Sequence, residues 1–313
     1  MFDNMEQLSE IFSNLHRQLG KYFFGPPEIA QLVTIGLLSS GHILLEGVPG
    51  VAKTTLVRFY SSLTGCQSGR IQFTPDLMPS DITGTIIPSA DFSEQKFIPG
   101  PVFTQILLAD EINRAPAKTQ SALLEALEEK AVTIQNNNYK MSEPFFVLAT
   151  QNPKESAGTF PLPDATVDRF LLRIKLGYPA KSEELEMMKT HHIIPSMPEP
   201  FLNSQAIILA QKAVEKVNLS DSLMRYVLAI VRWTRNHQQI KLGASPRSGL
   251  AFLRALKAKA ALEGRDYGIP DDAKFLAASI LSHRLVLTYE AQMSGIKPEN
   301  LITEALKELE ILI

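Results

Sequence analysis

Lys53 and Thr54 close the stretch Gly47-Val48-Pro49-Gly50-Val51-Ala52-Lys53-Thr54, and residues of these types at this spacing suit a bound triphosphate. Glycines let a tight turn aim its backbone N–H groups at anionic oxygens, and a helix N-terminus adds its dipole. An apolar run, His42–Glu46, precedes the turn and a helical run, Thr55–Leu63, follows it. Strand, turn and helix is the setting that such a loop requires. In it Lys53 neutralises charge on the β- and γ-phosphates and Thr54 places its hydroxyl on Mg2+. The expected phosphate-binding set is Gly47, Val48, Pro49, Gly50, Val51, Ala52, Lys53, Thr54 and Thr55. Ala52 stands where the general pattern has its second glycine, at a helix start where negative φ accommodates a methyl group. The competing reading is a loop in which Gly47 and Gly50 only make a turn.

A second chemical pair ends another apolar run, Ile106-Leu107-Leu108-Ala109-Asp110-Glu111. Carboxylates at the C-terminal end of a buried strand lie at the ligand-binding edge of an open α/β sheet. Asp110 is expected to hold Mg2+, directly or through water, and Glu111 to polarise the attacking water beside the γ-phosphate. An acidic pair favoured by a helix dipole is the alternative. A third run, Phe145–Thr150, leads into Gln151-Asn152-Pro153, and the Asn152 amide is assigned to orienting the water or touching the γ-phosphate. Asn before Pro is also an ordinary turn starter.

Three arginines stand out. Arg169, in Val167-Asp168-Arg169-Phe170, precedes the run Leu172–Leu176 and is placed to reach a neighbouring subunit's nucleotide; a surface pair with Asp168 is the alternative. Arg247 follows Ser245, read as an N-cap, and Pro246 at the first helical position. A cation there opposes the helix macrodipole, so an anionic ligand explains it better than helix stability does. Arg114 is either an intersubunit contact or a brace for its loop. His42, His191, His192, His237 and His283 read as surface or packed histidines rather than ligands.

The elements needed to position these groups form an alternating pattern. The expected strands are His42–Glu46, Arg70–Phe73, Thr104–Ala109, Phe145–Thr150 and Leu172–Leu176. Nearly continuous apolar runs suit a parallel sheet with both faces covered. Lys118–Glu129 carries Leu123, Leu124 and Leu127 on one helical face and Glu125, Glu128 and Glu129 largely on the other, with Pro116 in its first turn. Two hairpins are expected as insertions: Thr83–Ile87 with Gln95–Ile98, and Val132–Gln135 with Tyr139–Met141 turning at Asn136-Asn137-Asn138. After Tyr178-Pro179 prolines separate helical patterns with little sign of another sheet; Asp221–His237 and the run marked by Leu250, Leu253 and Leu256 are the clearest. This divides the chain into a core over 1–178, with the insertion near 83–98, and a helical domain over 179–313.

Composition narrows the function classes. The 313 residues are 45% hydrophobic and 20% charged with formal net charge −2, so no global charge draws the chain to nucleic acid or anionic lipid. Cys66 is the single cysteine, and no Cys/His cluster has zinc spacing. No basic-then-apolar leader opens the sequence, and no apolar run approaches the roughly 20 residues of a membrane span. A cytoplasmic setting is the expectation.

In this order the motifs closely resemble those of the MoxR family of AAA+ ATPases. The resemblance rests on Gly41 to Thr54, Leu107–Glu129, Ala149-Thr150-Gln151-Asn152-Pro153, Phe160-Pro161-Leu162-Pro163-Asp164 leading to Asp168-Arg169-Phe170, and Gly243-Ala244-Ser245-Pro246-Arg247. Ala109 to Gln120 is the most specific stretch. The match covers all but about the first twenty residues. It implies an α/β core with a five-stranded parallel sheet in the order 5-1-4-3-2, a helical lid, and a ring, commonly a hexamer. It also implies that Lys53 and Thr54 form Walker A, Asp110 and Glu111 Walker B, Asn152 sensor 1, Arg169 the arginine finger and Arg247 sensor 2. Whether Arg247 serves its own subunit's nucleotide or a neighbour's stays open. The family departs from this chain at Gly25-Pro26-Pro27, where Gly-Gln is more usual.

The resemblance implies Mg2+-dependent ATP hydrolysis coupled to chaperone-like maturation of a client protein complex, with von Willebrand factor A-like domain proteins as partners. A nucleic-acid-translocating ATPase and a nucleotide-gated scaffold without turnover are the competing functions. Near-neutral charge argues against the first, and the Asp110-Glu111 pair against the second.

Overall fold

The computed structural model describes residues 4–47, 53–88, 95–152, 159–190 and 196–309. Val48, Pro49, Gly50, Val51 and Ala52 of the phosphate-binding set lie outside them, as do His191 and His192. In order come α1 (Met5–Leu19), α2 (Pro27–Leu38), β1 (Ile43–Gly47), α3 (Lys53–Thr64), β2 (Ser68–Gln72), α4 (Pro79–Thr83), β3 (Gly84–Pro88) and β4 (Gln95–Pro99). Next are β5 (Ile106–Asp110), α5 (Ala117–Glu129), β6 (Ala131–Ile134), β7 (Asn137–Lys140), β8 (Phe146–Gln151), α6 (Asp164–Val167) and β9 (Leu172–Leu176). The rest is α7 (Lys181–Thr190), α8 (Ser204–Glu215), α9 (Asp221–Asn236), β10 (Ile240–Leu242), α10 (Pro246–Leu262), α11 (Pro270–Leu281), β11 (Val286–Leu287), α12 (Tyr289–Met293) and α13 (Pro298–Leu309).

The five-stranded sheet is ordered β2-β5-β8-β1-β9, every pairing parallel. Numbering these strands by their place in the chain gives the expected 5-1-4-3-2. Successive side chains of a strand point to opposite faces, and both faces are apolar. Ile43, Leu45, Ile106, Leu108, Phe146 and Leu148 join a core shared with α1, α2, α3 and the C-terminal helices. Leu44, Leu107, Ala109, Val147 and Ala149 face a second core containing Leu123, Leu124 and Leu127 of α5.

Several local expectations shift. The hairpin β6–β7 turns at Gln135 and Asn136, both with positive φ, and Asn137 already belongs to the returning strand. Pro116 is the N-cap of α5 rather than a residue of its first turn. A two-stranded antiparallel pair, β10–β11, stands among the C-terminal helices. Alanines 251, 255 and 258 form much of the buried side of α10, whereas Leu250 is exposed, so close helix approach rather than a leucine stripe packs this element. The first twenty residues supply α1, capped by Asn4 and buried through Leu8, Phe12, Leu15 and Leu19.

Candidate functional site

Register in the sheet brings three strand ends together. Glu46 of β1 lies opposite Gln151 of β8, and Ala109 of β5 opposite Ala149 of β8. Adjacent strands lie about 4.8 Å apart, so Gly47, Asp110 and Asn152 share one edge. Lys53, first residue of α3, is buried and donates from Nζ to the Gly47 carbonyl at 2.8 Å. Burial lowers its pKa, while the charges of Asp110 and Glu111 act in the opposite direction. Thr54 and Thr55 follow in the first turn of α3, with Thr54 exposed.

Glu111 adopts a left-handed backbone, φ 56° and ψ 48°, which ends β5 abruptly. Asn152 Nδ2 donates to its Oε1 at 2.8 Å and Gln72 Nε2 to its Oε2 at 3.1 Å, while Arg114 Nε lies 3.0 Å from Oε2. Arg114 therefore braces this loop within its own chain. Thr150 ties the two carboxylate residues together: its hydroxyl donates to Asp110 Oδ1 (2.7 Å) and accepts from the Glu111 N–H (2.8 Å). Arg70 donates to Asp110 Oδ2 at 2.8 Å. The Asn113 side chain bonds both the N–H and the carbonyl of Asn152. Among the described residues Asn152 Oδ1 is buried with no hydrogen-bond partner, an acceptor suited to a water proton.

Oxygen donors of this kind suit Mg2+, which is held by one or two carboxylates together with phosphates and waters rather than by an all-protein cage. Asp110 and the Thr54 hydroxyl are oxygen donors of that kind. Among the described residues no group of three or more His, Cys, Asp or Glu could hold a metal.

Arg169 and Arg247 occupy the other edge. Arg169 precedes β9, and Leu172 pairs with Ile43 at the start of β1. A five-residue strand rises roughly 16 Å, so neither arginine shares the edge of Lys53. Both arginines meet Glu128 at the end of α5: Arg169 Nε lies 3.2 Å from Oε2, and Arg247 Nη2 donates to Oε1. The Arg247 hydrogen bond pulls the Glu128 pKa down, with the Arg169 charge adding to it.

The expected alternative for Arg169, a pair with Asp168, is not what forms. Asp168 takes Arg284 Nε at 2.7 Å, and Arg284, buried, also donates to the carbonyls of Asp168, Phe170 and Leu171. Burial lowers the Arg284 pKa and Asp168 opposes the shift. Ser245 is the N-cap of α10 by backbone geometry, but its hydroxyl donates to Asp168 Oδ2 at 3.2 Å instead of capping the helix. His42 and His283 are buried and hydrogen-bonded to backbone, and His237 stacks on Trp233.

Sequence reasoning passed over Thr150, Gln72, Asn113, Glu128 and Arg284 as site residues. Period two on β2 puts Arg70 and Gln72 on one face, a readable signal for Gln72. Nothing local to the sequence pairs Arg284 with Asp168, more than a hundred residues away.

The family model for the ATPase family associated with various cellular activities (AAA) matches residues 42–172, and that for the AAA lid domain matches 232–305. YeaC, an uncharacterized protein of Bacillus subtilis, is 43% identical over 98% of this chain and 96% of its own. Chaperone MoxR1 of Mycobacterium tuberculosis is 41% identical over 94% of this chain and 80% of its own. A crystal structure of a candidate ATPase from Cytophaga hutchinsonii superposes with a TM-score of 0.90 at 39% identity, over 97% of this chain and 95% of that one. Likeness of this extent, in sequence and in fold, places the chain in the MoxR family of AAA+ ATPases.

Proposed function

We propose that the chain hydrolyses Mg2+-bound ATP at sites shared between protomers of a homo-oligomeric ring, a hexamer in its working form, and uses the cycle to remodel client protein complexes. One observation carries this reading. Lys53, Asp110, Glu111 and Asn152 converge on one sheet edge while Arg169 and Arg247 converge on the opposite one. A head-to-tail neighbour brings the two halves together, and on this reading both arginines act in trans.

Bound Mg2+ supplies Lewis-acid stabilisation of phosphate charge, and Asp110 and Thr54 are the residues to hold it. Gly47 to Thr55 cradle the triphosphate, and Lys53 offsets its charge. Glu111 takes a proton from the water whose oxygen bonds to the γ-phosphorus as the bond to the β-phosphate oxygen breaks, leaving ADP and inorganic phosphate. Asn152 orients both partners, holding Glu111 through Nδ2 and accepting the second water proton at Oδ1. The neighbour's Arg169 and Arg247 offset the charge of the transferring group.

The chaperone name borne by the Mycobacterium tuberculosis relative supports a protein client. A von Willebrand factor A-like partner, a cytoplasmic location and a boundary near residue 179 between core and lid complete the proposal. Among the described residues no helix is long and apolar enough to cross a membrane.

Steady-state assays test it. Glu111→Gln should bind a fluorescent ATP analogue normally and lose about 10²–10⁴ in kcat. Arg169→Ala should lose about 10³–10⁵ in kcat with analogue binding retained. Undiminished turnover in either variant removes that residue from the mechanism. DNA-stimulated, salt-sensitive turnover would replace the protein client with nucleic acid.

A further inference from the structure

Glu128 and Arg247 each sit at the wrong end of a helix. A carboxylate in the last turn of α5 and a guanidinium in the first turn of α10 both oppose their macrodipoles. Helix stability therefore favours neither, yet they bond each other, and Glu128 reaches Arg169 with its second oxygen. One carboxylate thus links an arginine ahead of β9 to an arginine of the lid.

The cavity at this place is about 150 Å³ and is lined by Lys130, Arg169, Arg247 and Arg254 around Glu128, with the Asp168–Arg284 pair at its margin. Among the described residues neither Lys130 nor Arg254 has a carboxylate at ion-pairing distance, so the lining carries more positive than negative charge. Ligand pockets usually measure about 300–1,000 Å³; this one is too small to enclose a ligand by itself. A guanidinium has five N–H donors: Arg169 engages Glu128 through Nε, leaving its two terminal nitrogens, and Arg247 engages through one terminal nitrogen. Among the described residues each arginine is held by one edge, and its remaining donors meet no further carboxylate.

We propose that Glu128 is a positioning residue for hydrolysis in the neighbouring protomer, holding Arg169 and Arg247 as one unit that meets the neighbour's phosphates. The proposal rests on the trans-acting reading of those two arginines. Glu128 stays in place when the phosphates arrive, because the surplus of cations accommodates both anions.

The test is ATP turnover by assembled rings of Glu128→Ala, Glu128→Gln and Glu128→Asp, beside Arg169→Ala, Arg247→Ala and the double variants. Misplacement by about 1 Å can cost around 100-fold, so kcat should fall roughly 10–100-fold in Glu128→Ala and Glu128→Gln. Analogue binding and ring mass should stay unchanged, and Glu128→Asp should recover part of the loss. In Glu128→Ala, removing Arg169 or Arg247 should cost much less than it does in the unaltered protein. Unchanged or raised kcat in Glu128→Ala, or fully multiplicative losses in the doubles, would overturn the proposal. A fall explained wholly by lost ring mass would overturn it too. If Arg169→Ala and Arg247→Ala themselves keep full turnover, the trans-acting reading fails instead.

Discussion

At the scale of single residues, Glu111 gives up backbone comfort for placement. An L-residue in the left-handed region costs about 1–2 kcal/mol, and here that turn aims the carboxylate at Asn152 and Gln72. Thr150 holds the arrangement from below. Thr150→Val keeps the shape but strands the Glu111 N–H and removes a donor from Asp110. The expected loss is about 1–3 kcal/mol of stability with lowered turnover, checked by urea titration and steady-state assay. The gathering of Lys53, Asp110 and Glu111 at one sheet edge was legible because phosphate and water chemistry demand those types at fixed places beside strands. Thr150 was not, since a threonine inside a buried strand is also an ordinary β-former. His42 gives a pH prediction. Val147 N–H donates to its Nδ1 and Nε2 reaches the Leu127 carbonyl, while burial holds its pKa at about 4. The unfolded chain takes up this proton near its ordinary pKa of 6.5, so stability present above that pH is lost as pH falls toward 4. Half-buried His16, also held at about 4 by desolvation, acts in the same direction. Urea midpoints should be lower at pH 5 than at pH 7, and the difference should shrink in His42→Gln.

At the scale of elements, the five strands and α5 followed from apolar runs and helical periodicity, with ends misplaced by one or two residues. The turn of β6–β7 was displaced because a two-residue turn with positive φ uses Gln135 as well as Asn136, and composition alone pointed to the asparagines. Helix α1 shows the converse. Leu8, Phe12, Leu15 and Leu19 repeat at helical spacing, but no chemistry accompanies them, and motif matching passed over the segment. In the structure α1 packs on α2, α3 and α10, joining the nucleotide-binding half to the lid. Phe12→Ala should therefore cost about 3–5 kcal/mol, read from urea denaturation, and should loosen both halves together. A normal midpoint in that variant would show that α1 adds little to the shared core.

At the scale of the whole molecule, parallel strands give the sheet a direction, and the proposed machinery is split along it. The parallel run of the strands was readable in advance from the strand–helix alternation, whereas their order came from the family resemblance. Contacts across the sheet were readable from neither: the Asp168–Arg284 pair and the shared Glu128 depend on how the lid settles against the core, which no local pattern encodes. The directional split has a consequence for mixtures. A protomer with Lys53→Ala has a spoiled pocket but an intact arginine end; one with Arg169→Ala has the reverse. Each alone should be inert, yet co-assembled in equal amounts they should regain a minority of normal turnover, at the junctions where a sound pocket meets a sound arginine. Silence in such mixed rings, with assembly verified by mass, would mean that every arginine serves its own subunit. Placing both lesions in one protomer should give poison rather than rescue: each such copy added to normal rings disables two junctions, the one it faces and the one it backs onto.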